Sequence, residues 1–200
     1  MRLGILASHG GSNMQAVIDA TKAGTLPAEV VVVIGNNAAS GAAARAASEG
    51  IPFHHLSGRT HPDSGALDDA ICRTLLDAGV DLVVLAGYMK KVGPRTIARF
   101  QRRIVNIHPA LLPKFGGVGM YGMRVHEAVL ESGDELTGVT IHLVDGEYDR
   151  GPVIAQTEVK VSPDDDAETL AARVLEREHE FYVETLRRIA SGELDLDTLQ

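Results

Sequence analysis

Residues 2–24 read RLGILASHGGSNMQAVIDATKAG, and this stretch decides the fold. A continuous apolar run opens it, as expected of a strand buried on both faces rather than one with a wet side. Two glycines then permit a tight turn, and a helical segment follows. A second apolar run, EVVVVIGN at 29–36, completes a strand–helix–strand unit. Working outward, SGAAARAASEG at 40–50 reads as a helix and IPFHHL at 51–56 as a short third strand. SGALDDAICRTLLDAG at 64–79 is a helix, and DLVVLAG at 81–87 and RRIVNIH at 102–108 are further strands. This alternation predicts an α/β fold, a mostly parallel sheet with helices on both faces. Ligands of such sheets bind outside the carboxyl ends of the strands.

The rhythm changes after Pro113. KFGGVGMYGM at 114–123 is glycine-rich and aperiodic, which predicts a mobile loop. RVHEAVLESG at 124–133 is a short helix. TGVTIHLV at 137–144 and GPVIAQTEVKV at 151–161 are β-rich and joined by DGEYDR, which predicts an antiparallel pair or two nearby strands. The segment 162–192 is the longest helix, acidic at its start and closed by Gly192. No repeat or linker divides the chain, so residues 1–200 read as one domain.

The 200 residues carry a formal charge of −8, and an acidic surface disfavours nucleic acid as a partner. Small anions remain compatible with local backbone dipoles. Cys72 is the only cysteine, so no intrachain disulfide forms, and its helical context reads as a small buried apolar residue. No apolar run reaches membrane-spanning length, and the first residues make too short a run for a signal peptide. The expectation is a soluble, cytoplasmic protein.

Residues two apart in a strand project to the same side, so Asn106 and His108 point together at the carboxyl edge of the sheet. Pro109 holds His108 extended. An amide can donate to a developing oxyanion, and an imidazole can move protons near neutral pH. No serine or cysteine lies nearby to form an acyl-enzyme, and no H-E-x-x-H or C-x-x-C pattern indicates a metal. This pair suits direct attack of an amine or water on a carbonyl. In the turn SHGGSNMQ, Ser12 and Gln15 have capping-box spacing, and free N–H groups at the helix start suit a phosphate. Asp145, Glu147 and Asp149 form an acidic turn: either it is solvated, or one carboxylate sits beside His108 and raises its pKa. Glu178 lies within an apolar stripe of Val174, Leu175, Phe181 and Tyr182, where a carboxylate is either paired in the core or reaching a ligand. His179 reads as a structural hydrogen-bonder; His126 could face the glycine loop, but a solvated helix position is the preferred reading. His54, His55 and His61 have no partner that spacing reveals.

Taken in order, GGSNMQAVIDA, DLVVLAGYMKKV, NIHPALLPKF, GMYGMRVHEAVL, GVTIHLVDGEYDRGPVIAQ and ARVLEREHEFY resemble the glycinamide ribonucleotide formyltransferases over nearly the whole chain. The resemblance implies a three-layer Rossmann-like formyltransferase fold with an antiparallel carboxy-terminal part. It implies transfer of the formyl group of 10-formyltetrahydrofolate to the amine of glycinamide ribonucleotide in purine biosynthesis, without a metal. Asn106 and His108 would be catalytic, with Asp149 as third member keeping His108 charged. Gly11, Ser12 and Asn13 would hold the substrate phosphate, and Glu178 the glycinamide end. Met89, Lys90, Lys91 and Val92 would line the folate pocket together with Asn106. A monomer or homodimer is expected. SHGG stands where the family often has SGNG or SGRG, Gly116 follows the aromatic where proline is common, and Ser64 stands where some members have a folate-contacting arginine.

Three other readings share part of this pattern. A formyltetrahydrofolate hydrolase shares the NIH chemistry but usually carries an extra domain ahead of RLGILAS, for which this chain has no room. Methionyl-tRNA formyltransferase needs an RNA-binding extension and a basic surface. A non-catalytic nucleotide-binding module would share the sheet alone.

Overall fold

The computed structural model describes residues 1–199. The elements run β1 (Arg2–Ala7), α1 (Ser12–Lys22), β2 (Glu29–Gly35), α2 (Gly41–Ser48), β3 (Phe53–His55), α3 (Ser64–Asp77) and β4 (Leu82–Leu85). They continue through α4 (Pro94–Arg99), β5 (Ile104–His108), α5 (Met123–Ser132), β6 (Leu136–Leu143), β7 (Val153–Lys160) and α6 (Ala167–Ala190), followed by a 3-10 turn at Leu196–Thr198. The strands form one seven-stranded sheet in the order β3-β2-β1-β4-β5-β6-β7. The pairs from β3 to β5 are parallel, and β5–β6 and β6–β7 are antiparallel, as the sequence reading expects. Helix α4 and the 3-10 turn were not foreseen. Each is too short to show a helical period, and α4 is announced only by Pro94 at its first turn.

Strand β1 shows why its sequence is apolar throughout. Leu3, Ile5 and Ala7 enter one core with Met14 and Val17 of α1 and Leu170, Val174 and Tyr182 of α6. Leu6 points the other way, into a second core with Ile71 and Leu75 of α3. Period-two alternation thus feeds two apolar layers. Cys72 is half-buried and packs on that second core.

Helix α6 starts later than the acidic segment suggested, because Asp166 and Thr169 close a reciprocal capping box. Its buried stripe is Leu170, Val174, Glu178, Phe181, Tyr182, Thr185 and Leu186, a spacing of three and four with one carboxylate in it. At 24 residues the helix is about 36 Å long, enough to cross the sheet.

The strand order positions the site. The chain leaves β1 towards β2 and β3, then returns to β4 on the opposite side of β1. The loops after β1 and β4 therefore diverge and open a crevice at the carboxyl edge. Ser8 holds its two walls in register: its N–H donates to Gly87 O (3.1 Å), and its Oγ accepts from Met89 N (2.8 Å).

Leu186→Ala, in the fully buried stripe, is expected to cost about 2–5 kcal/mol, whereas Leu76→Ala, on the exposed face of α3, should stay within about 0.5 kcal/mol. Chemical denaturation of the two variants measures this. Equal losses would contradict the assignment of the core.

Candidate active site

Strand β5 delivers Asn106 and His108 to the edge, and the antiparallel register then chooses their neighbours. His142 lies opposite Asn106, and Thr140 lies opposite His108. Thr140 is fully buried; its hydroxyl donates to Ala110 O (2.7 Å) and accepts from Leu112 N (3.0 Å) and Gln156 Nε2 (2.9 Å). This clamps the turn that follows His108.

The polar centre is a short network. Asn106 Nδ2 lies 3.0 Å from His142 Nε2, and His142 Nδ1 lies 2.8 Å from Leu143 O. A carbonyl only accepts, so Nδ1 of His142 carries a proton, while Nε2 lies between the Asn106 amide and the Asp149 carboxylate. One N–H of that amide is thereby anchored, and the other is free for the cleft. His108 Nε2 lies 2.8 Å from Phe115 O, so it too is the protonated nitrogen, and Nδ1 is turned towards Asp149. Asp149 sits between the imidazoles: Oδ2 is 3.6 Å from His108 Nδ1 and Oδ1 is 3.4 Å from His142 Nε2. Gly117 N donates to Oδ2 (3.0 Å). Asp149 has a left-handed backbone (φ 54°), a conformation Asp tolerates better than most residues, and this turns its carboxylate back towards β5. Asp145 and Glu147, its partners in the acidic turn, are exposed.

Burial pushes the Asp149 carboxyl up, but His142, His108 and the Gly117 N–H outweigh it, and the net shift is downward. The carboxylate stays ionised. For His108 the balance runs the other way. Burial lowers its pKa, and the upward pull of Asp149 and Phe115 O does not compensate. Asp149 is thus beside His108, as one of the two sequence readings had it, yet the resting imidazole is neutral rather than charged. Desolvating an imidazolium at a site only 4% exposed is the reason.

Around this centre is a cleft of about 560 Å³. Its walls include Asn106, His108, His142 and Asp149, the neighbouring Asn13 and Glu178, and the segment Met89, Lys90, Lys91 and Val92. The two lysines are exposed, so they stand at the rim, while Val92 is buried. Ser64 lines an adjoining groove instead, one that shares Lys90, Lys91 and Val92.

Gly11 and Ser12 lie next to Asn13 but outside the cleft lining. The expected Ser12–Gln15 capping box is absent. Gly11 is the N-cap, with φ 74° and no side-chain cap, and Gln15 instead donates to Asp19 and Glu49. The cause is close packing: a Cβ on Gly11 would lie 2.9 Å from Ala42 Cα, and one on Gly41 would lie 2.7 Å from Gly10 O. The turn is pressed onto the start of α2, which leaves the first N–H groups of α1 uncapped by side chains and suited to an anion.

Glu178 is 8% exposed. Burial pushes its carboxyl up to about 7, and the Asn13 side chain draws it partly back. Asn13 Oδ1 is buried without a partner among the described residues. These two side chains face each other as a half-satisfied polar pair opening on the cleft.

The histidines fell out differently from their sequence reading. His126 is 5% exposed rather than solvated, because α5 turns it inward to line the cleft near His108. His179 has a buried Nε2 with no hydrogen-bond partner among the described residues, so it is not the structural hydrogen-bonder expected. His55 meets Asn36 O at 3.3 Å and His61 meets Thr60 Oγ1 at 3.0 Å, both away from the site. His142 was missed altogether. Its signal was present in TIHLV, where Thr140 and His142 repeat the polar spacing of Asn106 and His108 in an apolar strand.

The profile of the formyl transferase family matches residues 1–186, and the chain belongs to that family. It is similar to the phosphoribosylglycinamide formyltransferase, chloroplastic, of Arabidopsis thaliana, at 42% identity over 94% of this chain and 65% of that protein. The chain therefore spans about two thirds of the plant relative's length. The phosphoribosylglycinamide formyltransferase of Haemophilus influenzae is 36% identical over 98% of this chain and 90% of that one. Among solved structures, glycinamide ribonucleotide transformylase 1 from Symbiobacterium toebii superposes with a TM-score of 0.90 at 38% identity, covering 96% of this chain and 88% of that chain. Among the described residues, no helix is long and apolar enough to cross a membrane.

Glu178→Gln tests the unpaired carboxylate. Unfolded, the group titrates near 4.5, and folded near 7, so between those values the native state holds the extra proton and loses stability as pH rises. The 2.5-unit difference amounts to about 3 kcal/mol, lost once pH passes 7. Relative to the parent protein, the variant should gain stability from pH 5 to pH 8. A stability difference independent of pH in denaturant titrations would refute the buried charge.

Proposed function

We propose that this chain transfers the formyl group of 10-formyltetrahydrofolate to the amine of glycinamide ribonucleotide, a step of purine biosynthesis. The observation that carries the reading is the convergence of Asn106, His108 and Asp149 on one cleft. Asn13, in the first turn of a helix whose start no side chain caps, lines that cleft, and so do apolar residues such as Met89, Val92, Ile97 and Ile107. Its described lining includes no serine or cysteine, which favours direct attack over an acyl-enzyme. Both apolar cores share one sheet, which supports treating the chain as a single catalytic domain.

In this mechanism Gly11, Ser12 and Asn13 hold the phosphate, and Glu178 accepts hydrogen bonds from the adjoining part of the ribosyl glycinamide. Met89 to Val92 pack on the folate. The amine attacks the formyl carbon, and the free N–H of Asn106 stabilises the oxyanion. Neutral His108 takes a proton from the amine at Nδ1 and becomes an imidazolium beside ionised Asp149. It then gives a proton to the leaving nitrogen of the folate as the tetrahedral intermediate collapses. Asp149 lowers the cost of that transient charge without maintaining it in the resting protein.

The deciding assay is formyl transfer from 10-formyltetrahydrofolate with the amine present or omitted. Turnover that requires the amine supports the proposal, and equal turnover without it would make the protein a hydrolase. Asn106→Ala should lower kcat by about 10²–10³ with little change in KM, the usual loss for one oxyanion donor.

The pH profile should split. KM for the amine substrate should rise as pH falls below about 7, as Glu178 is protonated, while kcat holds until pH drops below the ordinary imidazole range, because His108 acts as a base and its pKa is depressed. In Asp149→Asn the fold should persist, since Asn also tolerates a left-handed backbone, and kcat should fall steeply. Steady-state kinetics from pH 5 to pH 9 check both. A kcat that declines in step with the rise in KM, from pH 7 downward, would sink the assignment of His108 as a neutral base.

A further inference from the structure

Tyr182 has no exposed surface and does not line the cleft, yet its hydroxyl is aimed at the part of the sheet that makes the site. Oη donates between two backbone carbonyls, Leu85 O at 3.0 Å and Val105 O at 3.3 Å. These belong to neighbouring parallel strands whose register sets Leu85 against Asn106. Leu85 ends β4 and leads directly into the wall formed by Met89 to Val92. Val105 is the peptide unit immediately before Asn106. One side chain from α6 therefore grips β4 and β5 where they reach the cleft. Glu178 stands one helical turn earlier on α6 and faces into the cleft itself.

We infer that Tyr182 is a positioning residue for the reaction: its hydroxyl fixes the Val105–Asn106 peptide, and through it the aim of the Asn106 amide at the developing oxyanion. The backbone at Asn106 has support on both sides. On the β6 side, the register and His142 orient the side chain. On the β4 side, the tyrosine hydroxyl holds the strand at its height. An oxyanion donor works only within a narrow range of distance and angle, so loosening this support should be felt in the transition state more than in binding. The tyrosine ring fills the core on its own account, so removing only the oxygen separates packing from positioning.

This inference rests on the formyl-transfer reading, and the experiment keeps the two apart. Wild-type turnover tests the function. Tyr182→Phe then tests the positioning role, with an activity-independent readout alongside. In the variant, kcat should fall about tenfold while both KM values stay within about twofold. The nitrogen-15 correlation peaks of the Asn106 side-chain amide should shift or broaden. In an Asn106→Ala background the same Tyr182→Phe change should leave the residual kcat unaltered, because the group it positions is gone. An unchanged kcat in the single variant overturns the inference. An equal tenfold loss in both backgrounds overturns it too, since Tyr182 would then act on something other than Asn106.

Discussion

The antiparallel pairing of β6 with β5 is the constraint on which the site depends. A parallel strand in the same place would have set other residues opposite Asn106 and His108. Reversal instead brings His142 to Asn106 and Thr140 to His108, and the turn that follows β6 folds Asp149 back between the two imidazoles. A shift of β6 by one residue would turn His142 and Thr140 to the face opposite Asn106 and His108. Clamping by Thr140 and Gln156 on the turn after His108, and by Tyr182 on the strand before Asn106, acts against such a slip. Four polar groups from two strands and one turn, Asn106, His108, His142 and Asp149, thus meet in a network that no single segment could build.

The electrostatics of the cleft follow from burial acting unequally. Asp149 accepts from Gly117 N beside two imidazoles and stays ionised, whereas burial strips His108 of its charge and raises the Glu178 carboxyl to about 7. An anion flanked by two imidazoles in a poorly hydrated place is arranged for a proton that arrives during reaction rather than one that is stored. The same burial makes Glu178 and its half-satisfied partner Asn13 unfavourable until something polar meets them, a stability cost located where a ligand can offset it.

Close backbone approach does the corresponding work at the first turn. Gly11 adopts a left-handed conformation and Gly41 leaves no room for a Cβ against Gly10 O, so α1 and α2 begin back to back. A capping side chain on α1 would satisfy the N–H groups that the proposed phosphate needs. The departure from the expected capping box is therefore consistent with the proposed role.

Strand and helix identities, the mixed sheet, and the pairing of Asn106 with His108 on one side were legible in the sequence because they depend on periods of two and 3.6 and on glycine and proline, which act locally. Glu178 was legible as an anomaly for the same reason: a charge inside an apolar stripe breaks a local pattern. Helix α4 was not, being shorter than the period that would reveal it. His142, the burial of His126, the loss of the capping box and the direction of the His108 shift required the tertiary structure. Each is set by what packs opposite, and cross-strand register, helix rotation and desolvation are sums over residues distant in the chain.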